Sequence, residues 1–348
     1  TALVLDARTS LARVLRGPRS DDDDIVVLPP AAQRANTTLV FGSDGQPYCS
    51  NALLDGVVAV TAFAETLLDD ASLTAMQATL GITAIARGTV GGRLSLNNGI
   101  AITHSDPFRT SGDTVYYGPW SGHTIGLKDN GVWSLWPIED PVYGAGAYPS
   151  LSVAALTDNK LFDIFAYSSG SGIALEGASW TSDTVRAVSL ARVDGVLVKA
   201  LDSTRRYLGT GRKRGGVVTD VGSRMELWNL YNQIPRHAYL AESTNTWTIA
   251  ASATWRQANG SAANQIDFCI GVRNPTLEAM ASARAFNSGA TSRLIAAGIG
   301  IDSATVNGAT LTVPANCTNT VSGPALAILK GAAVALDAGQ HYLAWLER

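Results

Sequence analysis

Thr124-Ile125-Gly126-Leu127-Lys128, then Asp129-Asn130-Gly131, then Val132-Trp133-Ser134-Leu135-Trp136 is the stretch that decides the fold class. Two runs of strand-forming residues flank an Asn-Gly pair, and those two residue types tolerate the positive φ that a tight hairpin turn demands. The stretch therefore reads as a β-hairpin. Val193-Asp194-Gly195-Val196 marks a second hairpin by the same chemistry. Working outward, Leu161 to Tyr167, Arg205 to Gly209, Met225 to Tyr231, Trp247 to Trp255, Gln265 to Val272 and Leu294 to Ile301 are further strand candidates with turn signals between them. From about residue 88 onward the chain reads as mainly β, as sandwich or barrel-like modules.

Upstream the pattern is different. Val4, Ala7, Leu11 and Val14 recur at the spacing of one helix face, which predicts a short amphipathic helix over 1–16 ended by Gly17-Pro18. Two heptads are marginal alone in water, so the stripe needs a partner, either the same helix in sister subunits or its own chain. Residues 17–87 read as an extended connector, with an acidic run Asp21 to Asp24, Pro29-Pro30, and the turn residues Ser43-Asp44-Gly45. Inside it a short helix is expected over 70–80. Asp69 or Asp70 offers a cap, Leu73, Met76 and Leu80 share a face, and Gly81 suits the left-handed terminating position. Pro141, Gly144, Gly146 and Pro149 suggest a boundary near 145 between a small β domain, 88–145, and a larger one, 146–348.

Composition narrows the function classes. Hydrophobic residues make up 46% and charged residues 16% of 348 residues, and the formal net charge is -3, which supplies no basic face for nucleic acid or an anionic membrane. No apolar run approaches the roughly 20 residues of a membrane-spanning helix. Asp6 and Arg8 stand where a secretory signal needs an apolar core, so a soluble chain not exported by that route is expected. Cys49, Cys269 and Cys317 are too few and too scattered for a disulfide framework or zinc site and read as small apolar residues, and His104, His123, His237 and His341 form no local ligand pattern. No metal, cofactor or catalytic motif is expected.

Three groups of residues remain as site candidates. Tyr116, Tyr117, Trp120, Trp133 and Trp136 are the densest aromatic cluster and suit stacking on sugar rings or contact with a partner protein. Trp133 and Trp136 fall on opposite faces of one strand, so at least one is expected to face a neighbouring subunit. Arg205-Arg206 and Arg212-Lys213-Arg214 read as charges on an exposed loop, and the glycines of Gly209-Thr210-Gly211 as turn residues. Asp158, Asp163, Glu176, Asp183, Asp194, Asp202, Glu226 and Asp267 supply carboxylates for glycan cleavage, but no spacing singles out a pair.

Several strings resemble bacteriophage tail fibres and other virion fibre proteins. Leu28-Pro29-Pro30-Ala31-Ala32-Gln33-Arg34-Ala35-Asn36, continuing through Leu39-Val40-Phe41-Gly42-Ser43-Asp44-Gly45-Gln46-Pro47, is similar to their connector. Leu67-Leu68-Asp69-Asp70-Ala71 with Met76-Gln77-Ala78-Thr79-Leu80-Gly81 is similar to the helix that follows it. Asp163-Ile164-Phe165-Ala166-Tyr167, Arg205 to Thr210, Trp228 to Arg236 and Thr254 to Gly260 resemble a β module of such fibres. The resemblance implies an intertwined homotrimer in the virion, joined to tail, baseplate or portal-region proteins. It also implies host attachment through a surface glycan or protein. Val4, Ala7, Leu11, Val14, Leu73, Met76 and Leu80 are then the expected trimer contacts. A head fibre or baseplate connector without receptor contact, and a glycan-cleaving tailspike, are the alternatives.

Overall fold

The computed structural model describes residues 14–15, 26–27, 32, 37–43, 47–50, 61–71, 73–97, 110–138, 148–249, 254–272, 277–287, 289, 291–317, 322–329 and 336–348. They belong to two compact units, Thr1–Ser72 and Leu73–Arg348. The chain is mainly β with three short helices, and no sheet closes into a barrel among the described residues.

The first unit holds small elements. Val14–Leu15 pairs antiparallel with Val26–Val27, and Thr38–Phe41 pairs with Pro47–Ser50. Val14 is thus on a strand rather than on the expected helix over 1–16. Val14, Val26 and Val27 are β-branched residues that favour a ladder, and two heptads carry little helical stability of their own. Val4, Ala7 and Leu11 lie outside the described residues. The connector reading also gives way at the Thr38–Phe41 hairpin, built around the turn signal at Ser43. Helix Ala62–Leu68 begins where the Thr61 hydroxyl accepts the Ala64 N–H at 3.2 Å, and it closes at Asp69.

The second unit opens with helices Leu73–Thr79 and Ile82–Gly88. The first of them lies within the expected span. Gly81 sits between the two at φ 71, in the left-handed region that only glycine adopts freely, and this lets one helix end and the next begin. Asp69 does not cap Leu73–Thr79, because it already ends the preceding helix. A six-stranded sheet follows, ordered Ile173–Ser179, Lys160–Ser168, Asp202–Lys213, Val196–Lys199, Leu190–Val193, with Leu227–Asn229 also on the central Asp202–Lys213 strand. Gly92–Ser95, Thr114–Pro119 and Ser150–Ser152 make a three-stranded sheet. A seven-stranded sheet centres on Gly339–Glu347, flanked by Arg256–Gln257, Gln265–Ile270 and Ala297–Ile301.

Both hairpins form as the turn chemistry predicts. Asn130 and Gly131 have φ 47 and 84, and Asp194 and Gly195 have φ 52 and 84. The boundary near 145 does not survive, because Ser150–Ser152 pairs with Thr114–Pro119 across it. One core joins Leu94, Val115, Ile125 and Ile138 to Phe162, Ile164, Leu208 and Leu227. Pro141, Gly144 and Gly146 lie outside the described residues. Of the strand expected over Trp247 to Trp255, the described residues 247–249 and 254–255 carry no ladder, residues 250–253 lie outside the described residues, and pairing is seen at Arg256–Gln257. Trp247 instead donates its ring N–H to Glu347 at 2.6 Å and packs edge-on against Trp345 at 6.0 Å, so its bulk covers a strand rather than extending one.

The Thr124–Asp129/Val132–Pro137 hairpin is covered on both faces. Ile125 and Leu127 lie in the main core with Trp136 against it, while Trp133 packs with Ala86, Val196 and Val198. Close approach at Gly126 makes this possible: a Cβ there would lie 1.6 Å from the Ala86 carbonyl oxygen. Gly126→Ala therefore has to push helix Ile82–Gly88 off the hairpin. The expected cost is about 3 kcal/mol or more, read as a drop in the urea midpoint, whereas Gly131→Ala, at the open turn, costs less.

Candidate functional site

The aromatic cluster is resolved residue by residue. Tyr117 and Trp133 are buried at 1% and 4% exposure, so neither offers a face to a receptor or a neighbouring subunit. Tyr116, Trp120 and Trp136 are half-buried. Trp136 packs against the main core, and Trp120 lies under the Arg93 guanidinium, 5.4 Å from its ring centroid. Trp133 and Trp136 face opposite ways, as the alternation predicts; Trp133 is covered by its own chain, while Trp136 keeps part of its surface exposed. Of the helix stripe, Met76 is half-buried and Leu80 exposed, and Leu73 lies on the same helix.

What organises the cluster is a buried cation. Arg206 is 2% exposed on the central strand Asp202–Lys213. Its Nη1 donates to the Gly126 carbonyl at 2.7 Å and its Nη2 to the Arg87 carbonyl at 3.0 Å. The Arg87 carbonyl belongs to the last turn of helix Ile82–Gly88, where carbonyls lack partners within the helix and carry partial negative charge. The guanidinium also lies 5.7 Å from the Trp133 ring and 5.1 Å from the Tyr231 ring, both of which present electron-rich faces to a cation. Asp194, in the second hairpin turn, accepts from Trp133 Nε1 at 2.9 Å and Lys128 Nζ at 3.3 Å, and these donors hold its carboxyl below the ordinary range.

The basic run is therefore not an exposed loop. Arg205 through Lys213 lie on the central strand, and Lys213 is buried with its Nζ on the Ala154 and Leu156 carbonyls at 3.0 and 2.8 Å. Nor are Gly209 and Gly211 turn residues. A Cβ on Gly209 would meet the Trp228 carbonyl oxygen at 2.2 Å, and one on Gly211 the Phe162 ring at 2.5 Å, so both permit close packing. The turn is made four residues after Gly211, by Gly215 and Gly216, at φ 61 and 87.

Each of the eight carboxylates is engaged within the chain. Asp163 takes Arg186 Nε at 2.7 Å and the Thr210 hydroxyl at 2.7 Å; burial raises its pKa against the opposing pull of Arg186. Glu176 takes Lys199 and Arg205, Asp183 takes Arg212, and Asp202 takes the Thr204 hydroxyl. Asp158 accepts the Gly216 N–H. Glu226 and Asp267 share Arg214, at 3.0 and 3.1 Å. Burial raises the Glu226 pKa, but its side chain has no exposure through which to protonate a substrate. Asp220, outside the sequence candidates, pairs with Arg236, and burial pushes it up to about 6. Among the described residues no three His, Cys, Asp or Glu side chains converge as metal ligands.

The site that sequence reading missed is a surface. Sheet Ala279–Ala285, Gly323–Leu329, Leu311–Val313 aligns Met280, Ile328 and Leu311 in one row and Ser282, Leu326 and Val313 in the next. Met280, Leu311 and Val313 are 72%, 50% and 43% exposed, and Leu326 and Ile328 half-buried. Ala325, Ala327 and Leu329 face the core from the other side. The alternation in Ala279–Ala285 was visible, but its alanines gave no hint that the larger side chains point outward. No family model, curated protein or solved structure matches the chain.

Arg206→Ala leaves two buried carbonyls without a donor and a cavity between two rings. The expected loss is about 3–5 kcal/mol, with Arg206→Lys intermediate because one ammonium cannot reproduce two spaced N–H donors. Chemical denaturation followed by tryptophan fluorescence checks both.

Proposed function

We propose that the chain is a non-catalytic fibre subunit of a bacteriophage virion that works as a homotrimer in host attachment or structural linkage. The observation that carries the reading is the outer face of the sheet Ala279–Ala285, Gly323–Leu329, Leu311–Val313. It places Met280, Leu311, Val313, Leu326 and Ile328 together, with Arg284 at its margin bonded to Ser322. An apolar face of this kind suits contact with another copy of itself. The strings around Leu28 to Pro47, Asp163 to Tyr167 and Trp228 to Arg236 supply the virion part of the reading. The carboxylates add support, because acid–base chemistry on a glycan needs a pair open to substrate, whereas these are held by arginine, lysine, hydroxyl or backbone donors. Tail, head and baseplate positions are all compatible with these strings, and immunogold labelling of intact particles separates them.

Light scattering is expected to give three times the chain mass of 36.4 kDa. Met280→Asp with Leu311→Asp is expected to yield smaller species that keep the wild-type circular dichroism. A wild-type chain that stays monomeric at micromolar concentration overturns the oligomeric reading, and release of oligosaccharide from host polysaccharide overturns the non-catalytic one.

A further inference from the structure

Outside the aromatic cluster and the carboxylate network, His341 has both ring nitrogens engaged by oxygen acceptors. Nδ1 lies 2.7 Å from Asp302 Oδ2, and Nε2 lies 2.9 Å from the Asp337 carbonyl oxygen. A carboxylate and a carbonyl can only accept, so both contacts are hydrogen bonds at once only when both nitrogens carry protons. The ring is buried at 8% exposure and tilted against Phe268, with centroids 5.7 Å apart.

The three residues join separate pieces of chain. Asp302 follows strand Ala297–Ile301 at φ 49, and its other oxygen accepts the Tyr342 N–H at 2.9 Å. Asp337 lies in the segment that leads into strand Gly339–Glu347, on which His341 sits. The Asp337 carboxylate also faces the ring and favours its proton, whereas Asp183, whose carbonyl takes the Gln340 N–H, binds Arg212, and Asp267 on the facing strand binds Arg214. Burial opposes charge on the ring, and the bonds to Asp302 and Asp337 outweigh it, leaving the pKa above the ordinary imidazole value.

We propose that protonated His341 is a pH-sensitive latch that ties the turn after Ile301 and the entry of strand Gly339–Glu347 together. A neutral ring has a single N–H and must give up Asp302 or Asp337. The sign follows from proton linkage: the folded chain holds this proton more tightly than the unfolded chain. The stabilisation is complete below the ordinary imidazole value of about 6.5 and is lost as pH rises through the higher folded value.

The test is imidazole C2 hydrogen–deuterium exchange across a pH series, labelled on the folded protein and read by mass spectrometry on its peptides, with exposed His237, and His341 of the denatured protein, as references. The expected result is a His341 midpoint above both references, which falls toward them in Asp302→Asn. Backbone protection at residues 302–304 and 337–340, taken relative to the base-catalysed intrinsic exchange rate at each pH, is expected to fall over the same pH range in the wild type and to be low throughout in His341→Gln. A wild-type midpoint at or below the references, or one that Asp302→Asn leaves in place, overturns the latch. The wild-type measurement decides even where a variant does not fold.

Discussion

The second unit is organised around the burial of one positive charge. A guanidinium removed from water has to recover its solvation from fixed dipoles, and Arg206 does so from a helix-terminal carbonyl, a hairpin carbonyl and two aromatic faces. Those partners come from helix Ile82–Gly88, hairpin Thr124–Asp129/Val132–Pro137 and the segment after Leu227–Asn229, while Arg206 itself stands on the central strand. Any displacement of the helix or hairpin strands the charge. Gly126 is the steric counterpart, because the same carbonyl that receives Arg206 belongs to the residue that lets Ala86 come close.

The same logic extends through the other charges. In a chain with 16% charged residues, a large share of the arginines and carboxylates point inward and join loops to sheets. Arg186 reaches Asp163 and the Gly271 carbonyl, Arg236 reaches Asp220 and the Leu227 carbonyl, and Arg256 reaches Glu347. Such pairs add little net stability over apolar packing, but breaking one leaves a buried charge, so they select a single arrangement. Their use inside leaves the outer faces comparatively poor in charge, which is the condition for extended contact between protein surfaces.

What was legible in the sequence is what local chemistry fixes. The turns at Asn130-Gly131 and Asp194-Gly195, and the helix break at Gly81, follow from φ alone, and each lies where its residues predict. What was not legible depends on residues distant in the chain. Leu151 sits opposite Val115 across a segment that reads as a domain boundary. Arg206 and Lys213 look like surface charges until carbonyls from other elements are brought to them. Gly209 and Gly211 look like turn residues until Trp228 and Phe162 are seen to need the space. In the dense aromatic cluster only Tyr117 and Trp133 are buried, while Tyr116, Trp120 and Trp136 stay partly exposed.

The three-stranded sheet near the C-terminus inverts the usual distribution of apolar bulk. Its core-facing positions on two strands are Ala279, Ala281, Ala283, Ala285, Ala325, Ala327 and Leu329, mostly alanine, while Met280, Leu326, Ile328, Leu311 and Val313 lie on the other side. Full burial of a Met, Leu, Ile or Val side chain contributes roughly 1.5–3 kcal/mol, and an alanine methyl much less. Most of the hydrophobic free energy this sheet can gain therefore lies on the face that its own chain does not cover. A sheet whose inner face is small can approach its core closely, and one whose outer face is large gains most when a second surface closes over it. On that argument any surface that closes over Met280, Leu311 and Val313 would add hydrophobic free energy that the sheet does not gain from its core-facing side.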